Sequence, residues 1–405
     1  MKKIVFFSII LSLGIAFWSC SEDDDITPTF DLSIQLIYPE GVDFDFPREI
    51  EIGFDSGSRV TKAVPNSSGV ATVSLPQGVY SIATSFSVTD QANQQYTFNG
   101  KLSNLQLSSD LAKEITLVMA TNTGGLIIKE VYFSGTKTPE NKSYFSDQFH
   151  EIYNNSNDTL YADGLCIGVL QQSSTKANVW LNNEGNFMDR LPLTYHIWTI
   201  KGSGTDYPIY PGKSIVIAQD GIDHQTDENG NPNSPVNLGN ANWESYVEIS
   251  GKDIDAPGVP NMTMMYTTST RMHDWLHSVF GSAVVIFRFP KDIDWKTYAA
   301  NANNYMTLPG STSATEYFMI DKNMVIDAVE IVRVEEDKRN KRLPDDLDAG
   351  YTYLEGGSYC GLSVRRKAKM IVDGRVIYQD TNNSSEDFLH DLTPTPGQHP
   401  STVEK

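Results

Sequence analysis

Short apolar runs separated by turn residues recur along the chain and predict strands. From Phe30 to Tyr38 every second residue is apolar, which is the pattern of a strand with one buried face. Residues Ile50 to Phe54 repeat this alternation, and the segment from Ser68 to Ile82 holds two strands on either side of a Pro-Gln-Gly turn. Two further apolar runs complete a small β domain, which we expect to span residues 30–120.

A second group of strands is predicted after residues 121–125, a linker that contains no large hydrophobic side chain. The run from Leu126 to Phe133 is apolar and rich in β-branched residues, as in buried strands. A strand from Gln148 to Tyr153, an Asn-rich turn and a strand from Leu160 to Leu170 follow. This succession is typical of a β-sandwich, so the predicted fold class is all-β with two sandwich domains.

Six segments of the second domain carry short strand-like motifs: Lys129–Val131, Glu151–Asn154, Ala162–Leu165, Tyr210–Ala218, Leu362–Arg366 and Thr395–Gly397. In this order they resemble the strands of the lamin-tail domain, an immunoglobulin-like sandwich. The resemblance covers residues 124–400 and implies a sandwich with long insertions between the motif strands. Lamin-tail domains share no catalytic residues, so the resemblance implies a fold and no chemistry.

The hairpin in the first domain has its own resemblance. The segment from Ser68 to Ile82, with Pro76-Gln77-Gly78 at the turn, is similar to the hairpin of carboxypeptidase-regulatory or transthyretin-like sandwiches. This implies that residues 30–120 form such a module. Modules of this type act as spacers and adhesive platforms.

The first residues have the pattern of an export signal. Lys2-Lys3 precede an apolar stretch from Ile4 to Trp18, which is too short to span a bilayer comfortably. The stretch ends at Ser19-Cys20, a small residue before a cysteine. We therefore expect residues 1–19 to be a signal peptide and Cys20 to carry lipid. The alternative is an ordinary cleavage site without lipid.

An acidic run, Ser21-Glu22-Asp23-Asp24-Asp25, opens the predicted tether of residues 20–29. Such a run directly behind a lipidated cysteine resembles the surface-export signal of Bacteroidetes lipoproteins. It implies an outer-membrane lipoprotein exposed on the cell surface, and the same residues would also form a solvated tether. The net charge of −20 argues against nucleic acid as a partner, because phosphates require Lys and Arg.

Two other cysteines, Cys166 and Cys360, follow Cys20. In an oxidising compartment they could form a disulfide, and the alternative is two free buried thiols. The sequence leaves both possibilities open, because it does not give the distance between the two Cα atoms.

One segment, Thr270 to Phe280, is predicted to be a short helix. Its apolar residues fall at positions 272, 275, 276, 279 and 280, the spacing of one helical face. His273 and His277 lie four residues apart around Asp274, which nearly reproduces the His-Glu-x-x-His zinc motif. Because Asp274 is shorter than glutamate and no third ligand is marked, we expect two surface histidines and no metal.

Long connections join the motif strands of the second domain, at about 171–205, 219–282, 290–324 and 335–358. Connections of this length are functional or disordered. Residues 219–236 are polar and predicted to be mobile, and residues 335–348 form a mixed charge run expected to be solvated or to dock a partner. The candidate partner-binding residues are aromatic or methionine side chains, the types enriched at interfaces: Trp243, Tyr246, Met264 and Tyr266. The alternative is that they pack onto their own domain.

Motifs for nucleophilic or nucleotide chemistry are missing. The chain has no Gly-x-Ser-x-Gly elbow, and Tyr207 stands where a phosphate loop or a dinucleotide fingerprint requires glycine. We therefore expect no cofactor and a non-enzymatic cell-surface lipoprotein, an accessory binding protein of an outer-membrane nutrient transporter. The alternatives are a metal-dependent hydrolase that uses His273 and His277, and a purely structural or adhesive surface protein.

Overall fold

The computed structural model describes residues 28–404 except 41, 43, 90–94, 120–124 and 276. The predicted signal peptide, Cys20 and most of the acidic tether lie outside the described residues, as does nearly all of the predicted linker. Among the described residues, no helix is long and apolar enough to cross a membrane.

Strands with one buried face build the first domain, as the alternation predicts. In the first of them Leu32, Ile34 and Leu36 are buried, and the residues between them are partly exposed. The strands among the described residues are β1 (Thr29–Ile37), β2 (Ile52–Asp55), β3 (Val60–Ala63), β4 (Val70–Pro76), β5 (Gly78–Thr89), β6 (Gln95–Leu107), β7 (Leu111–Thr116) and β8 (Val118–Met119).

Two sheets of the first domain enclose one hydrophobic core. One sheet has the order β4-β1-β7 and the other the order β3-β2-β5-β6-β8. Leu32 and Ile34 of the first sheet pack in the same core as Phe54, Ile82 and Phe98 of the second. Burial of these side chains is the main favourable contribution to folding.

The second domain contains the remaining strands and both α-helices of the described chain. The strands are β9 (Leu126–Tyr132), β10 (Thr136–Lys137), β11 (Ser143–Tyr144), β12 (Phe149–Asn154), β13 (Leu160–Tyr161), β14 (Cys166–Leu170), β15 (Arg190–Thr199), β16 (Pro208–Ile209), β17 (Ser214–Ala218), β18 (Trp243–Glu244), β19 (Thr263–Thr267), β20 (Val284–Phe287), β21 (Tyr305–Thr307), β22 (Glu316–Asp321), β23 (Val325–Val329), β24 (Ser363–Arg366), β25 (Ala368–Val372), β26 (Arg375–Tyr378) and β27 (Phe388–Leu392). The helices are α1 (Trp295–Ala300) and α2 (Ser384–Asp387), and 3-10 turns cover Glu248–Ser250, Ala302–Asn304, Lys322–Met324 and Glu336–Lys338.

Two larger sheets pack face to face in this domain. One has the order β18-β17-β12-β9-β24-β27, and the other the order β21-β22-β15-β14-β20-β23 with β19 paired to β15. Ile128, Ile152 and Ile217 of the first sheet meet Ile167 and Ile286 of the second in the core between them. The predicted all-β fold class is thus confirmed.

The outer faces of both sheets are covered as well. Val236 and Leu238 pack on Tyr132 and Phe149 of the six-stranded sheet. The β25–β26 hairpin covers Ile127 and Tyr153 of the same sheet, and the segment around α1 packs on the other sheet. Central strands buried on both faces read as continuous apolar runs, which is why β9 and β12 alternate only loosely in the sequence.

The segment 171–205, expected to be a connection, contains a central strand. β15 pairs with β14, β19 and β22, and Leu191, Leu193 and Ile197 are buried. The alternation of these apolar residues was a strand signal within the segment. The connection 290–324 likewise supplies β21 and β22.

The predicted helix at Thr270–Phe280 is wrong, because the described residues of this segment form turns and irregular chain. Its backbone finds partners elsewhere: the His277 N–H donates to Oε1 of Gln148 (3.1 Å), and the His277 carbonyl accepts from Nε2 of Gln148 (2.8 Å). Trp275 enters the core between the sheets, whereas Phe280 is 48 % exposed, so the apolar positions do not share one face.

Two connections expected to be mobile or solvated are packed against the sandwich. In the polar segment 219–236, Asn231 donates to Thr136 (2.8 Å) and Ser234 donates to Asp147 (2.7 Å). In the charge run 335–348, Arg342 and Asp348 are buried. Their hydrogen bonds replace solvent and let polar side chains enter the fold.

The disulfide left open by the sequence is not formed. Cys166 is buried and Cys360 is half-buried, and both are free thiols.

The two domains are in contact through side chains of β6. Nδ2 of Asn99 donates to the Thr381 carbonyl (2.8 Å), and the Lys101 ammonium lies 5.5 Å from the centre of the Tyr351 ring.

Candidate functional site

The four candidate partner-binding residues do not form one exposed patch. Trp243 is buried in the core between the sheets, and Met264 packs against that core. Tyr266, two residues further along β19, packs against the core on the opposite face of its sheet, and its hydroxyl donates to the Glu316 carbonyl (2.9 Å). Tyr246 is half-buried. This placement matches the alternative that these side chains pack onto their own domain.

The sequence predicts two surface histidines at 273 and 277, and this prediction is wrong for His277. His273 is exposed, whereas His277 has no exposed surface. Both ring nitrogens of His277 are occupied, Nδ1 by His150 Nε2 (3.0 Å) and Nε2 by the Ser282 carbonyl (2.9 Å). The helical spacing that put both imidazoles on one face is absent, so the argument for a shared metal is wrong.

The paired rings of His150 and His277 form a buried element that sequence reasoning missed. Their ring centres are 5.3 Å apart, and Trp275 lies 4.7 Å from His150. Burial lowers the pKa of His277 to about 4 and the pKa of His150 well below its ordinary value. Both rings are therefore neutral at pH 7, and they join β12 to the segment 270–280.

A polar cavity of about 430 Å³ opens on the outer face of the six-stranded sheet, beside β17. Lys213, directly before β17, and Ser214, its first residue, form one wall, and the chain near the C-terminus contributes His399. The third wall is the segment from Asn237 to Asn242, whose Asn237, Asn240 and Asn242 side chains line the cavity. Its volume lies within the range of small-molecule sites, about 300–1,000 Å³.

The lining is rich in hydrogen-bond donors. Oδ1 of Asn242 accepts from the Val216 N–H (2.8 Å), and Oδ1 of Asn237 accepts from the Gly239 N–H (3.0 Å). With their oxygens engaged in this way, these amides have their NH₂ groups left to offer a ligand. Lys213 adds an exposed ammonium.

His399 lies at one end of the cavity. Its Nδ1 lies 3.1 Å from the Tyr378 hydroxyl, and its ring packs against Tyr153. Although the residue reaches solvent, burial of the ring, together with the nearby Lys129 and Lys213, lowers the pKa of His399 to about 4. The ring is therefore neutral at pH 7, and because Lys129 is paired with Glu151, Lys213 is the cation that the lining offers to a ligand.

Sequence reasoning found two walls of this cavity without recognising a site. Lys213 and Ser214 belong to the motif Tyr210–Ala218, and Gly397 ends the motif Thr395–Gly397. Their meeting depends on contacts between segments about 180 residues apart, as in any sheet with non-local pairing. The three closely spaced asparagines at 237, 240 and 242 were the sequence signal for the third wall.

Cys20, the predicted lipid attachment site, lies outside the described residues.

Comparison with known proteins gives an extensive match to a family and to a solved structure. A family described as "Protein of unknown function (DUF4876)" matches residues 210–395. The crystal structure of a DUF4876 family protein from Bacteroides thetaiotaomicron VPI-5482 is similar, with 30% sequence identity and a TM-score of 0.61. The similarity covers 92% of this chain and 99% of that chain.

A second solved structure is similar only in part. The crystal structure of a DUF3823 family protein from Parabacteroides merdae ATCC 43184 has 13% identity and a TM-score of 0.17, over 37% of this chain and 68% of that chain. No curated protein matches this chain.

Proposed function

Because the chain belongs to the DUF4876 family, which is described only as a family of unknown function, we propose a function from its geometry. The protein is a non-enzymatic, cell-surface lipoprotein that binds a polar, anionic ligand in the cavity beside β17. The observation that carries this proposal is the lining of the cavity, in which Lys213 stands among Asn237, Asn240 and Asn242.

The chemistry of the lining selects the class of ligand. Amide NH₂ groups and an ammonium donate hydrogen bonds, so the matching ligand presents acceptor oxygens and negative charge. The cavity also holds few large apolar surfaces, which disfavours an apolar ligand. An acidic oligosaccharide, with hydroxyl groups and carboxylates along one chain, has this chemistry.

Titration calorimetry with acidic and neutral oligosaccharides of equal length tests the ligand class. We expect the mature chain, with Cys20→Ala to keep it soluble, to bind an acidic oligosaccharide and to bind its neutral counterpart at least about tenfold more weakly. Lys213→Ala should weaken binding by a similar factor without changing the melting temperature. Lys291→Ala is the matched control, because Lys291 is exposed and does not line the cavity.

Failure to bind any member of the panel would favour a structural or adhesive surface protein. The alternative of a metal-dependent hydrolase that uses His273 and His277 is no longer supported, because both ring nitrogens of His277 are hydrogen-bonded and His273 is exposed while His277 is buried. Binding by Lys213→Ala at the wild-type level would also overturn the cavity as the site.

Surface placement is a separate part of the proposal and rests on the sequence pattern at Cys20. Cys20→Ala should release the protein from the membrane or leave it unprocessed, which fractionation of cells can measure. Protease added to whole cells should cleave the wild-type protein. Complete protection in intact cells would exclude surface exposure.

Association with an outer-membrane nutrient transporter and the finer domain identities also belong to this proposal. Crosslinking of whole cells followed by affinity purification should recover a transporter with the wild-type protein.

The lamin-tail identity of residues 124–400 is supported by the side-by-side position of three motif strands, β12, β9 and β24. The transthyretin-like identity of residues 30–120 is supported by two sheets around one core.

A further inference from the structure

Three carboxylates from separate segments converge near the end of β17. Asp220 follows this strand, Asp253 follows the 3-10 turn Glu248–Ser250, and Asp274 lies in the segment 270–280. One oxygen from each of the three lies within 4.8 Å of the others. Three separate segments thus each place a negatively charged group at the same position.

Like charges at this separation repel one another, and none of the ion pairs made by the described residues includes any of the three. Burial raises the pKa of Asp274. The neighbouring His273, which is exposed, lowers this pKa by a smaller amount, so the net shift is upward. Burial also raises the pKa of Asp253 to about 6 and raises the pKa of Asp220 well above its usual range, with the neighbouring carboxylates adding to both shifts.

A second observation points to a ligand at this place. Asp220 is only 8 % exposed, and its Oδ1 atom is buried without a hydrogen-bond partner. The Ser146 hydroxyl hydrogen-bonds to the Asp220 carboxylate, so the side chain that belongs to the cluster is held while its Oδ1 stays unsatisfied. A buried carboxylate oxygen with no donor is costly, and a bound cation satisfies it.

A further carboxylate in this region, that of Glu244, already has a structural role. Glu244 is fully buried, and its two oxygens accept hydrogen bonds from the Gly221 N–H (2.7 Å) and the Ala256 N–H (2.8 Å). In Asp253 the oxygens accept from the Val247 N–H (2.5 Å) and the Ile254 N–H (2.8 Å), and each keeps a second lone pair. These bonds orient Asp253 toward the cluster and hold the loop that carries it.

We propose that Asp220, Asp253 and Asp274 bind a calcium ion that ties the insertion 219–282 together. Three carboxylate oxygens are hard ligands, which select Ca²⁺ or Mg²⁺ over the metals that prefer nitrogen and sulfur. Mg²⁺ demands a near-ideal octahedron of ligands at about 2.0–2.1 Å and gives up its waters reluctantly, whereas Ca²⁺ tolerates irregular sets of oxygen ligands at about 2.3–2.6 Å. Ligands on three irregular loops also suit the flexible coordination of Ca²⁺.

Such an ion would stabilise the segment that carries Asn237, Asn240 and Asn242, since Asp220 and Asp253 flank it in the sequence. The site is nevertheless independent of the proposed ligand. Ca²⁺ binding therefore persists if the oligosaccharide hypothesis fails, and the Lys213→Ala variant should bind Ca²⁺ as the wild type does.

Calorimetry on the chelator-treated mature chain with Cys20→Ala tests the site directly. We expect one Ca²⁺ to bind per chain, with Mg²⁺ at least about tenfold weaker, and Ca²⁺ to raise the melting temperature by about 3 °C or more. Asp274→Asn should weaken Ca²⁺ binding at least about tenfold. The matched control is Asp292→Asn, because Asp292 is exposed and outside the cluster.

The same variant distinguishes a metal site from a purely structural cluster. With chelator present, Asp274→Asn should melt at or above the wild-type temperature, because it removes one of three like charges. With Ca²⁺ present, it should melt below the wild type. A wild-type chain without a heat signal or a melting shift at millimolar Ca²⁺ would overturn the proposal, as would unchanged Ca²⁺ affinity in Asp274→Asn.

Discussion

The ammonium of Lys129 and the carboxylate of Glu151 form an ion pair, 2.8 Å from Nζ to Oε2, in which neither side chain has exposed surface. The register between β9 and β12 shifts at Glu151, whose partner is Glu130, while Ile152 pairs with Ile128. Lys129 is therefore the extra residue of a β-bulge, and the bulge brings Lys129 and Glu130 together beside Glu151.

This cluster joins four of the motif segments. Oε1 of Glu130 accepts from the Ser363 hydroxyl (2.7 Å) and the Thr395 N–H (3.1 Å), and Oε2 of Glu151 accepts from the Gly397 N–H (3.0 Å). The acidic positions of β9 and β12 thus hold β24 and the C-terminal segment in place through buried hydrogen bonds.

Lys129→Met should lower the free energy of unfolding by about 3–5 kcal/mol, because it leaves the two glutamates buried without a cation. Urea unfolding followed by tryptophan fluorescence measures the change. Lys62→Met is the matched control: the Lys62–Glu51 pair has nearly the same length, 2.7 Å, but both side chains are more than half exposed. That change should cost about 1 kcal/mol or less, and equal losses in the two variants would contradict the role of burial.

Arg366→Lys should also destabilise the second domain, by about 3 kcal/mol or more. The guanidinium is 1 % exposed and donates two bonds to Asp327 (both 2.9 Å) and one to Asp387 (3.0 Å). A lysine ammonium cannot span the groups that the planar guanidinium reaches through three nitrogens, Nη2 to Asp327, Nη1 to Asp387 and Nε to the Ile128 carbonyl, and it leaves carboxylates without donors. Arg59→Lys on the surface serves as the control, and a similar melting temperature for both variants would sink the prediction.

Acid should destabilise the protein through the paired histidines. The folded-state pKa of His277 is about 4, whereas an unfolded histidine titrates near 6.5, so the unfolded chain binds more protons between these values. This contribution to stability is present above pH 6.5 and is lost as the pH falls toward 4, by up to about 1.4 kcal/mol per pH unit for each histidine.

The histidine contribution is isolated by comparing variants, because buried carboxylates shift the pH dependence in the opposite direction. In urea unfolding between pH 5 and 6, His277→Gln should reduce the slope of stability against pH by about 1.0–1.2 kcal/mol per unit. His273→Gln is the control, since that side chain stays in water. An unchanged slope in His277→Gln would show that this ring is protonated in the folded protein.

The two free thiols should differ in reactivity. Burial raises the pKa of Cys166 to about 12, and the side chain lies in the core beside Val285, whereas Cys360 is half-buried. A thiol reagent added to the native Cys20→Ala chain should label Cys360 first and Cys166 only after unfolding. Mass spectrometry of labelled peptides identifies the site, and equal labelling of both thiols would contradict the burial of Cys166.

The sequence by itself determined the fold class and the strands with the clearest patterns. The alternation in β1 and the apolar run of β9 are local patterns, and hydrophobic periodicity reports which faces of a strand are buried. It also identified the segments whose ends meet at the cavity. The same alternation of apolar residues is present in β15, although the segment 171–205 was predicted to be a connection.

Only the tertiary structure decided which polar residues meet. The segment Thr270–Phe280 has a helical pattern, yet Gln148, more than 100 residues away, takes the backbone hydrogen bonds of His277. The burial of Lys129 and the convergence of Asp220 with Asp274 depend equally on contacts between distant strands and loops. Hydrophobic patterning reports which side chains leave water, whereas pairing among polar groups depends on distances in space that a linear pattern does not contain.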